Sequence, residues 1–342
     1  STALRPYGFD TFGVSGDVNS KPDSGYKHDD NTAGNCVEWL RTRQVHPQQR
    51  DTPFFLVVSF LNPHDIMYAD ANQPGEHVQR GAAHHELTKP PKNTNYEKNW
   101  QFALPRSRQE SLTGPGMPQA LAVYNAGWSG ALGHIPPARK DMWHTFYNYY
   151  LNMIRDNDRS LQQIVDALGE QGLWENTVVI FTSDHGEMGG SHGGLRGKGP
   201  FAYRENAKVP FIVVHPDYQS GRSEVLTSHL DLLPTLVGLT GLPESKRPQQ
   251  VRNLPGHDFS PTLAESKRSN VHAIRPGVLF NYVGPQTVSA EFCMRLLDGS
   301  SNVVNGSQAS LADIKPDLGT RAFLAFACDG RYKLARYYPT NK

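Results

Sequence analysis

From Asp141 to Gln171 the apolar side chains Phe146, Tyr149, Tyr150, Met153, Ile154, Leu161, Ile164, Val165 and Leu168 recur at helical spacing, and Gly172 follows as a stop signal. That period predicts a long helix with one apolar stripe, which the rest of the chain has to cover. The cover is available in three short, unbroken apolar runs: Pro53 to Phe60, Thr177 to Thr182 and Val209 to Val214. Runs of that length, β-branched and without alternation, predict strands buried on both faces, the habit of parallel sheets. Further helices are expected at Thr32 to Thr42 and at Thr227 to Leu239, where Pro234 forces a break or kink unless the helix starts near it. Val278 to Tyr282, Glu291 to Leu297, Arg321 to Ala327 and Arg331 to Tyr338 read as strands. The last two are joined through Asp329-Gly330, a hairpin signal. The order predicts an α/β fold: a mostly parallel sheet flanked by helices, with a small C-terminal antiparallel subdomain. The expected boundary divides residues 1–265 from residues 266–342.

Between Ile66 and Lys140 the chain is rich in Pro, Gly, Asn and aromatics and keeps no sustained period. A loop that long is expected to be a functional excursion. Its aromatics Trp100, Phe102, Tyr124 and Trp128, with Trp143 and Tyr147 beyond it, serve either to stack on a sugar or aryl group or to pack the excursion itself. Asp158, on the stripe of the long helix, is expected to be a buried structural carboxylate with partners. His77, His84 and His85 read as surface residues in a polar loop.

Composition narrows the classes. A formal net charge of +1 over 342 residues leaves no basic surface for nucleic acid. No apolar run is long enough to span a bilayer, so no membrane partner is expected. Cys36, Cys293 and Cys328 are widely spaced and rule out a disulfide framework.

Two of the apolar runs end in similar chemistry. The first runs into Asn62-Pro63-His64-Asp65 and the second into Ser183-Asp184-His185-Gly186. Ligands of open α/β sheets bind outside the carboxyl ends of the strands, so each run is expected to deliver a His and an Asp to one rim. Asp184 offers a hard oxygen and His185 an imidazole nitrogen, both suited to a divalent cation. A Gly-rich loop follows, Gly186 to Pro200, carrying His192, Arg196 and Lys198. Its two cationic side chains suit an oxyanion such as sulfate or phosphate. It is not a Walker loop, because Gly199 stands where Ser or Thr is required.

The stretch Phe181 to Lys198, with Tyr203-Arg-Glu-Asn206 and Val209-Pro210, resembles the second metal-binding region of the sulfatases, members of the alkaline phosphatase superfamily. Pro53 to Asp65, His229-Leu-Asp-Leu-Leu-Pro-Thr235 and Asp329-Gly-Arg-Tyr-Lys-Leu334 resemble further segments of that family, in its order. The resemblance implies hydrolysis of a sulfate ester on a small molecule or carbohydrate. Asp184 and His185 would ligate a divalent cation, usually calcium, with manganese or magnesium as alternatives. Lys198 would contact a sulfuryl oxygen, and His64 would stand at the leaving-group oxygen as a proton or hydrogen-bond donor. His192 and Arg196 would flank the substrate. Many sulfatases have Asn where His185 stands, and the His form also occurs in phosphonate monoester and phosphodiester hydrolases, which keeps that activity as an alternative. A non-catalytic anion- or sugar-binding module is a third reading.

The family's nucleophile is a formylglycine made from the Cys or Ser of a C/S-x-P-x-R motif, which these residues do not contain. The expectation is that the chain begins after that motif and is inactive alone, or that a separate N-terminal polypeptide completes the site. Asp29-Asp30 does not follow a strand and is expected to cap the next helix.

Overall fold

The computed structural model describes residues 4–9, 22–265, 269–284, 288–293 and 318–339. Its main helices are α1 (Ser24–Val45), the single-turn α2 (Pro47–Arg50), α3 (Gln119–Leu132) and α4 (Lys140–Glu170). Two further single turns, α5 (Ser191–Gly194) and α6 (Arg204–Ala207), precede α7 (Leu232–Leu239). The strands are β1 (Val179–Thr182), β2 (Phe211–Val214), β3 (Val278–Tyr282), β4 (Phe323–Cys328) and β5 (Lys333–Tyr338). The chain divides into two compact units that interleave in sequence, where a contiguous split after residue 265 was expected. One is Ser1–Thr177 with Glu187–Lys198 and Pro285–Asp317; the other is Val178–Gly186 with Gly199–Gly284 and Leu318–Lys342.

The first unit is organised by α4. Its stripe buries Met142, Trp143, Phe146, Tyr149 and Met153 against Ile66, Ala69, Ala71, Tyr96 and Ile135. Each large side chain so buried contributes about 1.5–3 kcal/mol. The buried carboxylate of the helix is Asp156, and Asp158 is exposed. Asp156 accepts hydrogen bonds from Tyr96 Oη (3.0 Å) and Asn95 Nδ2 (2.9 Å) and pairs with Arg159. Helix α1 starts eight residues before the expected Thr32. It packs along α4, and the Arg159–Asp30 and Arg41–Glu170 ion pairs bridge the two. The excursion from Ile66 onward contains α3, and its aromatics pack on the protein. Phe102 lies against His144 and Tyr147, Trp100 Nε1 donates to Asn152 Oδ1, and Tyr124 stacks on Trp128.

The run from Phe54 to Phe60 joins no sheet among the described residues, and its alternate positions Phe55, Val57 and Ser59 are exposed. A strand buried on both faces is therefore not what forms there.

In the second unit, β1 pairs antiparallel with β2, Phe181 opposite Ile212. The expected parallel pairing needs a crossover helix, and the connection from Thr182 to Phe211 holds only single turns. β3, β4 and β5 form an antiparallel sheet in that order, as the hairpin signal predicts. Residues 290–293 are helical, against the strand expected from Glu291 to Leu297; the remainder of that segment lies outside the described residues. Ser228 and Asp231 form a capping box ahead of α7. Pro234 falls in its first turn, where a missing N–H breaks no helical hydrogen bond. No described helix is long and apolar enough to cross a membrane.

Candidate functional site

Within the first unit, His64 opens a single 3-10 turn, His64–Tyr68, directly after the cis Asn62–Pro63 peptide. Helix α1 holds this turn at two points. The Asp29 carboxylate accepts the backbone N–H groups of Leu61 and Asn62, both at 2.8 Å. The Asp65 carboxylate accepts the N–H of Gly25 at 2.7 Å. Asp29 thus caps no helix start: it sits inside α1 and binds a distant turn. Burial pushes its carboxyl up to about 6, although the two N–H donors favour the ionised form. Gly25 is required because a Cβ there would lie 2.6 Å from Asn62 Cγ. The Asp65 side chain is 1% exposed, whereas His64 is 26% exposed, and Asp65 Oδ1 is 3.2 Å from His64 Nδ1.

The segment from Glu187 to Lys198 belongs to the same unit. Glu187 Oε1 accepts the N–H of Gly189 (2.9 Å) and of Gly197 (2.7 Å), tying the two ends of the loop together. Met188 N–H donates to Gly197 O and Gly190 N–H to Leu195 O, closing the loop further. Burial raises the Glu187 carboxyl above its ordinary range, against the pull of those N–H groups and of Arg196 and Lys198. Arg196 is buried and its guanidinium donates to Gly133 O; burial pulls it down to about 10. It holds the loop against the protein. His192 sits at φ 52°, with Nδ1 2.9 Å from Glu110 Oε2. Tyr124 Oη donates toward the carbonyls of Arg196 (3.2 Å) and Lys198 (2.8 Å), so the backbone on both sides of Gly197 is fixed. The half-buried Lys198 ammonium makes no hydrogen bond or ion pair among the described residues, which leaves it available to an anion.

Within the second unit, Asp184 and His185 follow β1 directly. His185 Nδ1 lies 2.9 Å from Gly186 O; a carbonyl only accepts, so Nδ1 carries the proton and Nε2 keeps its lone pair. Nε2 faces Asp184 Oδ2 at 3.3 Å, and Asp184, 82% exposed, also accepts His185 N–H through Oδ1 at 2.9 Å. Two lone-pair atoms facing each other at that distance suit a shared cation, so the donors fit two positions of a divalent metal. Among the described residues no group of three or more His, Cys, Asp or Glu side chains is gathered to hold a metal.

Sequence reasoning missed Gly25, Asp29 and Glu187. Only Glu187 left a signal, as the one acidic residue in a Gly-rich loop.

Known proteins agree with these segments. A relative from Bacteroides thetaiotaomicron, an endo-4-O-sulfatase, is 37% identical over 134 residues, 39% of this chain and 25% of the relative. A structure solved in complex with its substrate D-glucosamine-2-N,6-O-disulfate superposes with TM-score 0.52 at 16% identity, covering 92% of this chain and 61% of that one. The phosphonate monoester hydrolase of Agrobacterium radiobacter superposes with TM-score 0.53 at 22% identity, covering 95% and 56%. At such identities the superpositions establish the fold, which is that of the alkaline-phosphatase-like hydrolases. The chain spans a quarter of the length of the first relative and about three-fifths of the second. The sulfatase family model matches residues 4–242, more than half of the sequence, and the chain belongs to the sulfatase family.

Proposed function

We propose that this chain carries much of the machinery of a sulfuric ester hydrolase that acts on a sulfated carbohydrate. The observation that carries this reading is the extent of the family match: residues 4–242 include His64, Asp184, His185, His192, Arg196 and Lys198. The geometry supports separate roles. Asp184 and His185 offer an oxygen and an unprotonated nitrogen to a divalent cation, calcium first and manganese or magnesium as alternatives. When bound, that cation would supply fixed positive charge to an oxyanion. Lys198 brings an unpaired ammonium, held in place by the fixed backbone around Gly197, to neutralise charge on the sulfuryl oxygens as the ester bond breaks. His64 passes a proton from Nε2 to the leaving oxygen. Arg196 serves the loop. The nucleophile is to be sought outside these 342 residues: none of the three cysteines begins a C-x-P-x-R motif, and no serine begins S-x-P-x-R. The carbohydrate reading draws on the endo-4-O-sulfatase relative and on the structural neighbour with a disulfated glucosamine.

His185 beside Asp184 keeps phosphonate monoester cleavage as the second reading. Kinetics of the complete gene product on matched aryl sulfate and aryl phosphonate esters separate the two. The sulfatase reading predicts the larger kcat/KM on the sulfate, and the reverse order would replace it with the second.

A further inference from the structure

His64 is the exposed member of a buried polar cluster, and the cluster has a directional arrangement. Asp65 is fully buried and its two oxygens face different donors. Oδ2 receives the Gly25 N–H in the first turn of α1 at 2.7 Å, and Oδ1 faces His64 Nδ1 at 3.2 Å. The Gly25 N–H has no acceptor of its own within the helix, because it lies among the first four residues. Its bond to Asp65 therefore satisfies a buried orphan donor and fixes the carboxylate. The positive end of α1, a helix of 22 residues, favours the ionised form at that place. The turn is held from the other side by Asp29 on Leu61 and Asn62, and by Asn157 Nδ2 on Asn62 O at 2.7 Å. Across the ring, His64 Nε2 makes no hydrogen bond among the described residues.

We propose that Asp65 is a positioning residue that holds His64 with its proton on Nδ1, so that proton exchange takes place only at Nε2. This rests on the reading of His64 as proton donor. In the charged imidazole, Nδ1–H stays on Asp65 Oδ1 while the Nε2 proton passes to the leaving oxygen. The product is neutral imidazole with a lone pair at Nε2 and Nδ1–H retained, ready to be reprotonated from water. Free neutral imidazole side chains prefer the proton on Nε2, so the cluster reverses the default tautomer. Asn at position 65 cannot do this. It has one carbonyl oxygen, and the buried Gly25 N–H claims it, which turns the amide NH2 toward Nδ1 and forces the proton to Nε2.

The test is a two-dimensional 1H–15N correlation spectrum of the histidine rings in the folded 342-residue chain, at about pH 9, where imidazole is neutral. His64→Gln identifies the resonances by their loss. The expected result is a His64 Nε2 signal far downfield of Nδ1 in the wild type, and exchange of the two positions in Asp65→Asn. A wild-type His64 carrying its proton on Nε2 overturns the proposal. So does a folded Asp65→Asn variant that retains the wild-type pattern. If Asp65→Asn does not fold, the wild-type spectrum alone decides. The readout needs no substrate, so it fails or succeeds independently of the sulfatase assay.

Discussion

Replacing Gly25 by Ala sets two physical effects against each other, and the structure says which wins. Ala in a helix is favoured over Gly by about 0.5–1 kcal/mol, so intrinsic propensity predicts a gain. The added Cβ, however, would sit 2.6 Å from Asn62 Cγ and 2.9 Å from Asn62 N. Asn62 cannot retreat: it is buried, its N–H is bound by Asp29 and its carbonyl by Asn157. Overpacking at such a site costs about 1–3 kcal/mol. If α1 shifts to relieve it, the Gly25 N–H to Asp65 bond is stretched or lost, at about 1–3 kcal/mol for a buried group. The net expectation is destabilisation by roughly 1–4 kcal/mol, lowering Tm by a few to about 10 °C. Gly34, in the same helix, is exposed and a Cβ there meets nothing within 4 Å. Gly34→Ala should therefore show the propensity gain alone, up to about 1 kcal/mol. Urea titrations followed by circular dichroism compare both variants with the wild type. Equal stabilisation of the two variants would refute the claim that α1 clamps the His64 turn.

Three further outcomes are expected. Asp29 is held above its unfolded value of about 3.9, at about 6, so its contribution is complete below about pH 4 and is lost as the pH rises through 6; the span is up to about 3 kcal/mol. The stability difference between wild type and Asp29→Asn should drift in that window, and a flat difference from pH 4 to 6.5 would contradict the burial argument. Glu187→Ala frees the N–H groups of Gly189 and Gly197, so their amide hydrogen exchange should accelerate; Glu187→Gln keeps the accepting Oε1 and should leave both protected. In the complete enzyme, Lys198→Ala should lower kcat by about one to three orders of magnitude, as loss of an oxyanion donor does, and unchanged kinetics would remove Lys198 from the site.

The parts of the fold legible in the sequence are those whose signal is local. α4 and the β4–β5 hairpin announce themselves by period and by Asp329-Gly330, and both form within two residues of expectation. α3 was hidden because its sequence, from Gln119 to Leu132, is apolar or small almost throughout and has no polar face to give a period. The first turns of α1 are polar and carry Gly25, which reads as a turn until Asn62 and Asp65 are seen packed on it. Asp156 and Asp158 both lie near the apolar stripe of α4, and a small rotation of the helix decides which is buried. At the site, residue types suited to a cation and an anion were readable in Asp184, His185 and Lys198. The supports were not: Asp29 and Glu187 act on backbone N–H groups, and a bond to a backbone atom leaves no mark in the partner's sequence.

The most direct test of the central claim is release of inorganic sulfate from a sulfated disaccharide by the complete gene product, followed by ion chromatography alongside mass spectrometry of the sugar. The account predicts one sulfate per desulfated sugar, with the rate falling by about two orders of magnitude in Asp184→Asn and His185→Ala. Sulfate release undiminished in both variants, or cleavage of phosphonate esters with none of sulfate, would contradict it.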